Sequence, residues 1–453
     1  MKRFKYLTVL IIFITVLQFF CHAVDDTISS KPEFTFDGKS LCEYASLENI
    51  PSVEGYSAYA INLNTGTVVY DKKPDDKVYP ASTTKLMTAI VAYEHIPDLD
   101  VEITATDYVV KNTQGANVRI EAGEVYTARE LLNALLIEGA NDAALMLAEY
   151  VSGSEQEFCV LMNEKAKSIG AVNTHYDNVT GFHSDTTVTT ARDTGLIAQY
   201  FYYIPELFKI SDTTRYESDS LKRVLTNRNY LLSIARSDKY FYNKAEGMSM
   251  GSTPEGGYCI VSTVTGDDNQ VYLAVVMNSK EINDENYACK DIISIFEFCL
   301  ENFSYQTVVS TNTAANSIKV NNAVDTDSIV LFPENEIKML LPNSLDYTND
   351  ISFEIRVDSE SADAPINKGQ GFGELVVRYK NDVSIGHTKL VSDVSVDKSN
   401  VLYFFSRVRS IITGKWFTAF AVTAAVLFLI YFGFSVYYKY FKKNKYTKNR
   451  PRR

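Results

Sequence analysis

YPASTTKLMTAIVAYE, Tyr79–Glu94, sets Ser82 three residues before Lys85 at the head of an apolar helical run. Three residues is just under one helical turn, so the two side chains share a face. The same geometry admits two readings. In one, Ser82 is a helix N-cap whose hydroxyl accepts from the free N–H groups of the first turn. In the other, Ser82 is a nucleophile and Lys85 takes its proton. That second role needs an uncharged lysine, which burial or a neighbouring cation provides by lowering its pKa.

The flanking sequence gives this stretch its setting. YSAYAINLNTGTVVYD, Tyr56–Asp71, reads as a β-hairpin around Asn64-Thr65-Gly66. TARELLNALLIEG, from Thr127, opens on a capping box of Thr127 and Glu130 and continues with leucines at helical spacing. DAALMLAEYVSG is a further helix that stops near Gly153, and GGYCIVSTVTGDDNQVYLAVVMNS is a second hairpin turning at Gly266 to Asn269. YACKDIISIFEFCLENF, from Tyr287, is an amphipathic helix. Strands come first, helices fill the middle, and strands with a helix return. This order predicts an α/β sandwich with an antiparallel sheet and a helical subdomain over residues 28–303.

After Ser304 the pattern changes to short β runs: Ser317 to Val320, Ser328 to Phe332, Ile337 to Leu341, Ile351 to Val357 and Glu374 to Tyr379. They predict a small all-β domain over residues 304–400. GQGFGE, Gly369 to Glu374, is a turn between strands rather than a phosphate loop, because no helix follows it.

The two ends address the chain to a membrane. Residues 1–23 carry three basic residues before an apolar run and read as a secretory signal peptide. WFTAFAVTAAVLFLIYFGFSVYY, residues 416–438, contains no charge and is long enough to be a transmembrane helix. The tail, 439–453, holds eight Lys or Arg and no acid, which makes it cytoplasmic by the positive-inside rule. The expected location is the cell membrane, single-pass, with the body of the chain extracytoplasmic. The net charge of −12 is uneven: the signal holds +3 and the tail +8, which leaves −23 on residues 24–438. A body this acidic excludes electrostatic binding of nucleic acid. Cys42, Cys159, Cys259, Cys289 and Cys299 remain after the signal, an odd and widely spaced set that is no disulfide scaffold, though one bridge stays open. His95, His175, His183 and His387 lack metal-ligand spacing, so no metal or other cofactor is expected.

Four further stretches, in order, give the nucleophile reading its context: EGANDAALMLAEY from Glu138, GAVNTHYDNVTGFHSDTTVTTARD from Gly170, EGMSMGSTPEGGYCIVST from Glu246 and APINKGQGFGELVV from Ala364. With the opening stretch, they resemble the serine D-alanyl-D-alanine carboxypeptidases, the low-molecular-weight penicillin-binding proteins, over residues 40 to 400. The resemblance implies a β-lactamase/penicillin-binding type of α/β sandwich, followed by the small all-β domain. It implies removal of the terminal D-alanine from peptidoglycan stem peptides through an acyl-enzyme, with β-lactams as inhibitors. Ser82 would be the acylated nucleophile and Lys85 its base.

The other two motifs of that family are altered. The Ser-x-Asn motif reads Gly139-Ala140-Asn141, so only Asn141 carries over. The Lys-Thr-Gly motif reads Ser249-Met250-Gly251. Backbone N–H groups of Ser82 and Ser252 map onto the family's oxyanion hole, and backbone donors survive side-chain changes. The missing lysine helps hold the substrate carboxylate, a contact of about 1.5–3 kcal/mol. The missing serine relays a proton, an effect of roughly 10²–10⁴ in rate. The expected site is therefore catalytic Ser82, Lys85 and Asn141 with substrate-binding Ser249, Gly251 and Ser252, in a weakened enzyme. The alternative is a non-catalytic protein that binds wall peptide or a wall-synthesis partner.

Overall fold

In the computed structural model of the chain, residues 33–283 and 285–447 are described. The signal peptide and the last six residues of the basic tail lie outside them. The chain divides into two compact units: residues up to Gln306 together with Met339–Asp346, and Thr307–Lys338 together with Tyr347 onward.

The first unit is built on a five-stranded antiparallel sheet of β1 (Ser57–Asn62), β2 (Val68–Lys72), β3 (Ala245–Thr253), β4 (Gly257–Thr265) and β5 (Val271–Ser279). The strand order is β2-β1-β5-β4-β3, so β3 is an edge. Both expected hairpins are present. The second turns through Asn269 at φ 60, while the Gly266 N–H donates to the Gln270 carbonyl at 2.8 Å. Every residue of β1 is buried, which requires cover on both faces of the sheet.

Helices provide that cover. The main ones are α1 (Thr84–His95), α2 (Asn141–Ser152), α3 (Glu155–Ile169), α4 (Ala191–Tyr202) and α5 (Tyr287–Asn302). On one face, Tyr59, Ile61, Leu273 and Val275 join a single core with Leu86, Met87 and Ile90 of α1 and Ala144 and Leu147 of α2. Helix α4 packs on β1 and β5, and α5 packs on β4 and β5. The result is the α/β sandwich with a helical subdomain that the element order predicts.

Two local signals act differently from their simplest reading. Thr127 caps its helix by accepting from the Glu130 N–H at 3.2 Å. The Glu130 carboxylate, however, accepts from Tyr216 and Ser218 hydroxyls at 2.8 and 2.7 Å instead of closing a capping box. That helix ends in a π-helical turn, Ala134–Glu138, and leaves it through Gly139 at φ +70. All five cysteines among the described residues are buried and unpaired. Burial pushes the Cys259 thiol up to about 12, so it has no nucleophilic character at neutral pH.

The second unit carries a six-stranded sheet: β6 (Asn316–Asn321), β7 (Ser328–Pro333), β8 (Ile351–Val357), β9 (Ser361–Asp363), β10 (Gly371–Tyr379) and β11 (Val383–Ser392). Its order is β8-β10-β11-β7-β6-β9, antiparallel except for β6 with β9. Of GQGFGE, expected to be a turn, only Gly369 and Gln370 precede the strand; Gly371 to Glu374 already belong to β10. Two helices follow, α6 (Asn400–Thr413) and α7 (Lys415–Thr447). Residues Lys415–Phe441 of α7 are long and apolar enough to cross a membrane, and none of their most apolar stretch is buried in protein.

Candidate active site

The opening stretch folds as a 3₁₀ turn, Ala81–Thr83, running into α1. Ala81 sits at φ 47, a left-handed conformation that costs a residue with a Cβ about 1–2 kcal/mol. It swings the chain sharply into Ser82. Neither the turn nor α1 has a side-chain cap, so Ser82 is not the N-cap that its position allows. Instead, Lys85 Nζ lies 3.1 Å from Ser82 Oγ.

Lys85 is buried at 3% exposure, at the base of the sandwich core. Its Nζ donates to the Thr180 carbonyl at 2.7 Å, which fixes the amine beside Ser82. Burial, and secondly the positive charge of Arg228, bring the Lys85 pKa down to about 7. A lysine lowered this far can shed its proton near neutral pH. A neutral amine keeps a free electron pair, so the 3.1 Å contact can run with Ser82 O–H as donor and Lys85 as acceptor.

The edge strand β3 closes the site. A Cβ at Gly251 would stand 2.3 Å from Ser82 Cβ and 3.0 Å from its backbone N, so only glycine lets the strand lie against Ser82. Ser249, two residues earlier, donates its hydroxyl to the Ser82 carbonyl at 3.2 Å. Ser252 follows Gly251 on the edge and is exposed.

Asn141 begins α2 and is buried. Its amide donates to the Gln114 carbonyl at 2.6 Å, while its Oδ1 is sealed from solvent without a partner. The Asp142 carboxylate accepts from the Val118 and Ile120 N–H groups, holding the 114–120 loop against this helix start.

A cavity of about 20 Å³ opens among Ser82, Lys85, Gly139, Arg228, Ser249 and Met250. That is room for about one water molecule. The structure thus brings Ser82, Lys85 and Ser249 to one cavity with Gly251 packed on Ser82, whereas Asn141 and Ser252 are not in its lining. A roomier cavity of about 460 Å³ in the second unit is lined by Asp325, Asp393 and Asp397 but has no base beside a nucleophile. The Ser–Lys pair, not the volume, marks the candidate site.

Two contributors escape the sequence reading. Thr180 acts through its carbonyl, which no side-chain pattern signals. Arg228 lies in TNRNY, where an arginine between two asparagines is the one available hint.

The chain was compared with known proteins. A family model described as D-alanyl-D-alanine carboxypeptidase matches residues 45–281, and one described as penicillin-binding protein 5, C-terminal domain, matches 303–398. The D-alanyl-D-alanine carboxypeptidase DacF of Bacillus subtilis is 28% identical over 374 residues, covering 82% of this chain and 91% of the relative. The D-alanyl-D-alanine carboxypeptidase of Streptomyces sp. strain K15 is 31% identical over 259 residues, covering 53% and 86%. The crystal structure of penicillin binding protein 5 from Haemophilus influenzae superposes with a TM-score of 0.58, covering 77% of this chain and 99% of that one at 21% identity, a likeness of fold. The chain belongs to the D-alanyl-D-alanine carboxypeptidase family, the low-molecular-weight penicillin-binding proteins.

Proposed function

We propose that this chain is a serine-type carboxypeptidase that removes the terminal D-alanine from peptidoglycan stem peptides, at a rate lowered by the altered rim of its site. The observation that carries the reading is the buried Lys85 amine 3.1 Å from Ser82 Oγ, with its pKa brought down to about 7. Neutral Lys85 takes the Ser82 proton as Oγ attacks the carbonyl of the penultimate D-alanine. The N–H groups of Ser82 and Ser252 hold the oxyanion, while Asn141, whose amide donates to the Gln114 carbonyl, positions the 114–120 loop beside the site. Lys85 then returns its proton to the leaving amine, and water hydrolyses the acyl-enzyme. Gly139 brings no relay hydroxyl, so Lys85 must deliver that proton without help.

The same reading places the enzyme outside the cell, with domains at 28–303 and 304–400, a membrane span at 416–438 and a cytoplasmic tail. The apolar α7 and the basic residues after it support this. β-Lactams, as acyl donors, are its expected inhibitors. A cavity of about 20 Å³ and the altered motifs favour a second reading, a binding protein that never turns over.

One measurement separates the two. The full-length chain in detergent should gain the mass of a bound β-lactam, and Ser82→Ala should not. A folded wild-type chain that never acylates would replace the enzyme reading with the binding one. For topology, protease added to intact cells should remove the body of the chain and spare a tag placed after Arg453.

A further inference from the structure

The sheet of the second unit parts at one place. Strand β7 pairs with β6 from Ser328 to Leu331, but with β11 only from Leu331 to Pro333. After Ser392 the chain leaves β7 and is fastened elsewhere. The Val396 N–H donates to the Ile366 carbonyl at 2.9 Å, and the Asp397 carbonyl accepts from the Val324 N–H at 3.2 Å. The cavity of about 460 Å³ lies in the cleft this leaves, between the start of β7 and residues 393–397. Its size falls in the range of about 300–1,000 Å³ typical of ligand sites. The Thr326 hydroxyl accepts from the Ser328 N–H at 3.2 Å and donates to the Ser328 carbonyl at 2.6 Å. That residue is satisfied locally, so the cleft offers side chains rather than free strand backbone there.

Those side chains are of two kinds. Val324, Val330 and Val394 line the cleft and are 55%, 39% and 44% exposed. Asp325, Asp393 and Asp397 line it with them and are also exposed. Other carboxylates of this sheet are paired, Glu354 with Arg356 and Arg378, and Glu336 with Lys338. Among the described residues the three cleft aspartates form no ion pair. The base that follows Asp397, Lys398, is held over the Tyr403 ring of α6, 3.1 Å from its centroid, and is not in the lining.

Exposed valines set among unpaired carboxylates complement one kind of occupant, a segment that carries cations and apolar groups in turn. Lysine and arginine suit such a place, because their stems cover apolar surface while their heads reach the charge. We propose that this cleft is a docking site for an extended segment of a partner protein in which lysine or arginine alternates with apolar residues. The chain's own basic run, residues 439–453, follows the span and lies across the membrane on the proposed topology, so the partner is another protein.

The test uses the full-length chain in detergent and three fluorescein-labelled peptides, Lys-Val-Lys-Val-Lys, Lys-Gly-Lys-Gly-Lys and Glu-Val-Glu-Val-Glu, read by fluorescence polarisation. Only the first should bind saturably, and added salt should weaken it. Asp393→Asn should raise its Kd about two- to fivefold, and Asp325→Asn, Asp393→Asn and Asp397→Asn together about tenfold or more. Val330→Gln and Val394→Gln should weaken it as well. All these positions are exposed, so the thermal midpoint should not move. No saturable binding of the lysine-valine peptide overturns the proposal. So does equal binding of the lysine-glycine peptide, which would leave the valines without a part, or a Kd unchanged in the folded triple variant. A dimer in detergent that Val330→Glu dissolves would give the cleft to a second copy of this chain, and overturns the proposal too. The same holds if a photocrosslinker at position 394, in phosphatidylglycerol vesicles with the peptide present, takes lipid instead of peptide.

Discussion

The floor and the rim of this site have departed from the family pattern to very different degrees. The floor is Ser82, Lys85, the Thr180 carbonyl and Gly251, and it keeps the family's residue types at each motif position. The rim is Gly139, Ser249, Met250 and Arg228, and there the motif side chains are replaced. Packing explains the contrast. Lys85 is buried, and Gly251 has no room for one more carbon against Ser82. Changes on the floor therefore disturb a close-packed interior, where even a methylene is felt. Arg228 is exposed and Ser249 half-buried, so that part of the rim can change its chemistry at small structural cost, whereas Met250 is buried and its replacement of a threonine is not explained by exposure. On the proposed function, acyl transfer would be held by the core and recognition left largely to the surface.

The contrast is broken most directly from the floor. Ser82→Ala should abolish acylation, a loss of roughly 10⁴ or more in kcat. Because Ser82 caps nothing, its stability should stay within about 0.5 kcal/mol of wild type, the usual range for a substitution away from such features. Loss of β-lactam labelling with an unchanged thermal midpoint is the expected pair of results. A drop in the midpoint typical of a lost cap would return Ser82 to a structural role.

Gly251→Ala tests the packing argument itself. Its new Cβ would lie 2.3 Å from Ser82 Cβ, so either β3 or the nucleophile turn must move. Overpacking of this kind costs about 1–3 kcal/mol. Displacing a reacting group by an ångström costs about 10²-fold in rate. Steady-state kinetics and a melting curve should show both losses together. An active, fully stable Gly251→Ala would mean that the floor is no tighter than the rim.

Lys85 supplies a pH signature. Its amine must be neutral to act, so kcat/KM should climb about tenfold per pH unit below about 7 and level off above it. The stability effect has the opposite origin but a definite sign. Between about 7 and 10.5 the unfolded chain holds a proton on Lys85 that the folded chain lacks, so stability rises with pH across that window. Lys85→Met should thus be inactive and yet more stable than wild type at neutral pH, by an amount that shrinks as the pH rises. Denaturant titrations at several pH values read this out, and a Lys85→Met less stable at every pH would show that its bond to Thr180 outweighs the burial of charge.

These tests divide along the same line as what the sequence can reveal. Ser82 and Lys85 are legible because their relation is local, three residues apart on one helical face. The hairpins of β1–β2 and β4–β5 are legible for a similar reason, β-rich runs on either side of a short turn. Strand β11 is not, because Val383–Ser392 mixes His387, Thr388 and Lys389 with a glycine and shows no clean apolar face. The rim is the least legible part. Arg228 meets Ile137 and Gly139, and its neighbour Asn229 meets Gly247, partners that only the fold brings together. The missing serine of the second motif looks like a simple loss in sequence, whereas in three dimensions its place is filled from another loop.

That last point changes what restoring the family residues should do. Ser249→Lys with Met250→Thr returns a cation and a hydroxyl to β3, and D-alanine release should rise by about ten- to a hundredfold, as a charged hydrogen bond contributes. Gly139→Ser should behave in the opposite manner to a simple repair. Position 139 sits at φ +70, where a side chain costs about 1–2 kcal/mol, and the new Cβ meets Arg228 Cδ at 3.0 Å. With Arg228 present, the substitution should lower activity several-fold by pushing the guanidinium off its place. With Arg228→Gln beside it, the shorter side chain leaves room, and the new hydroxyl can begin to relay a proton. The sign of the Gly139→Ser effect, measured in the two backgrounds, therefore reports whether Gly139 and Arg228 are coupled through their close packing. Two equal effects would mean that Gly139 and Arg228 act independently.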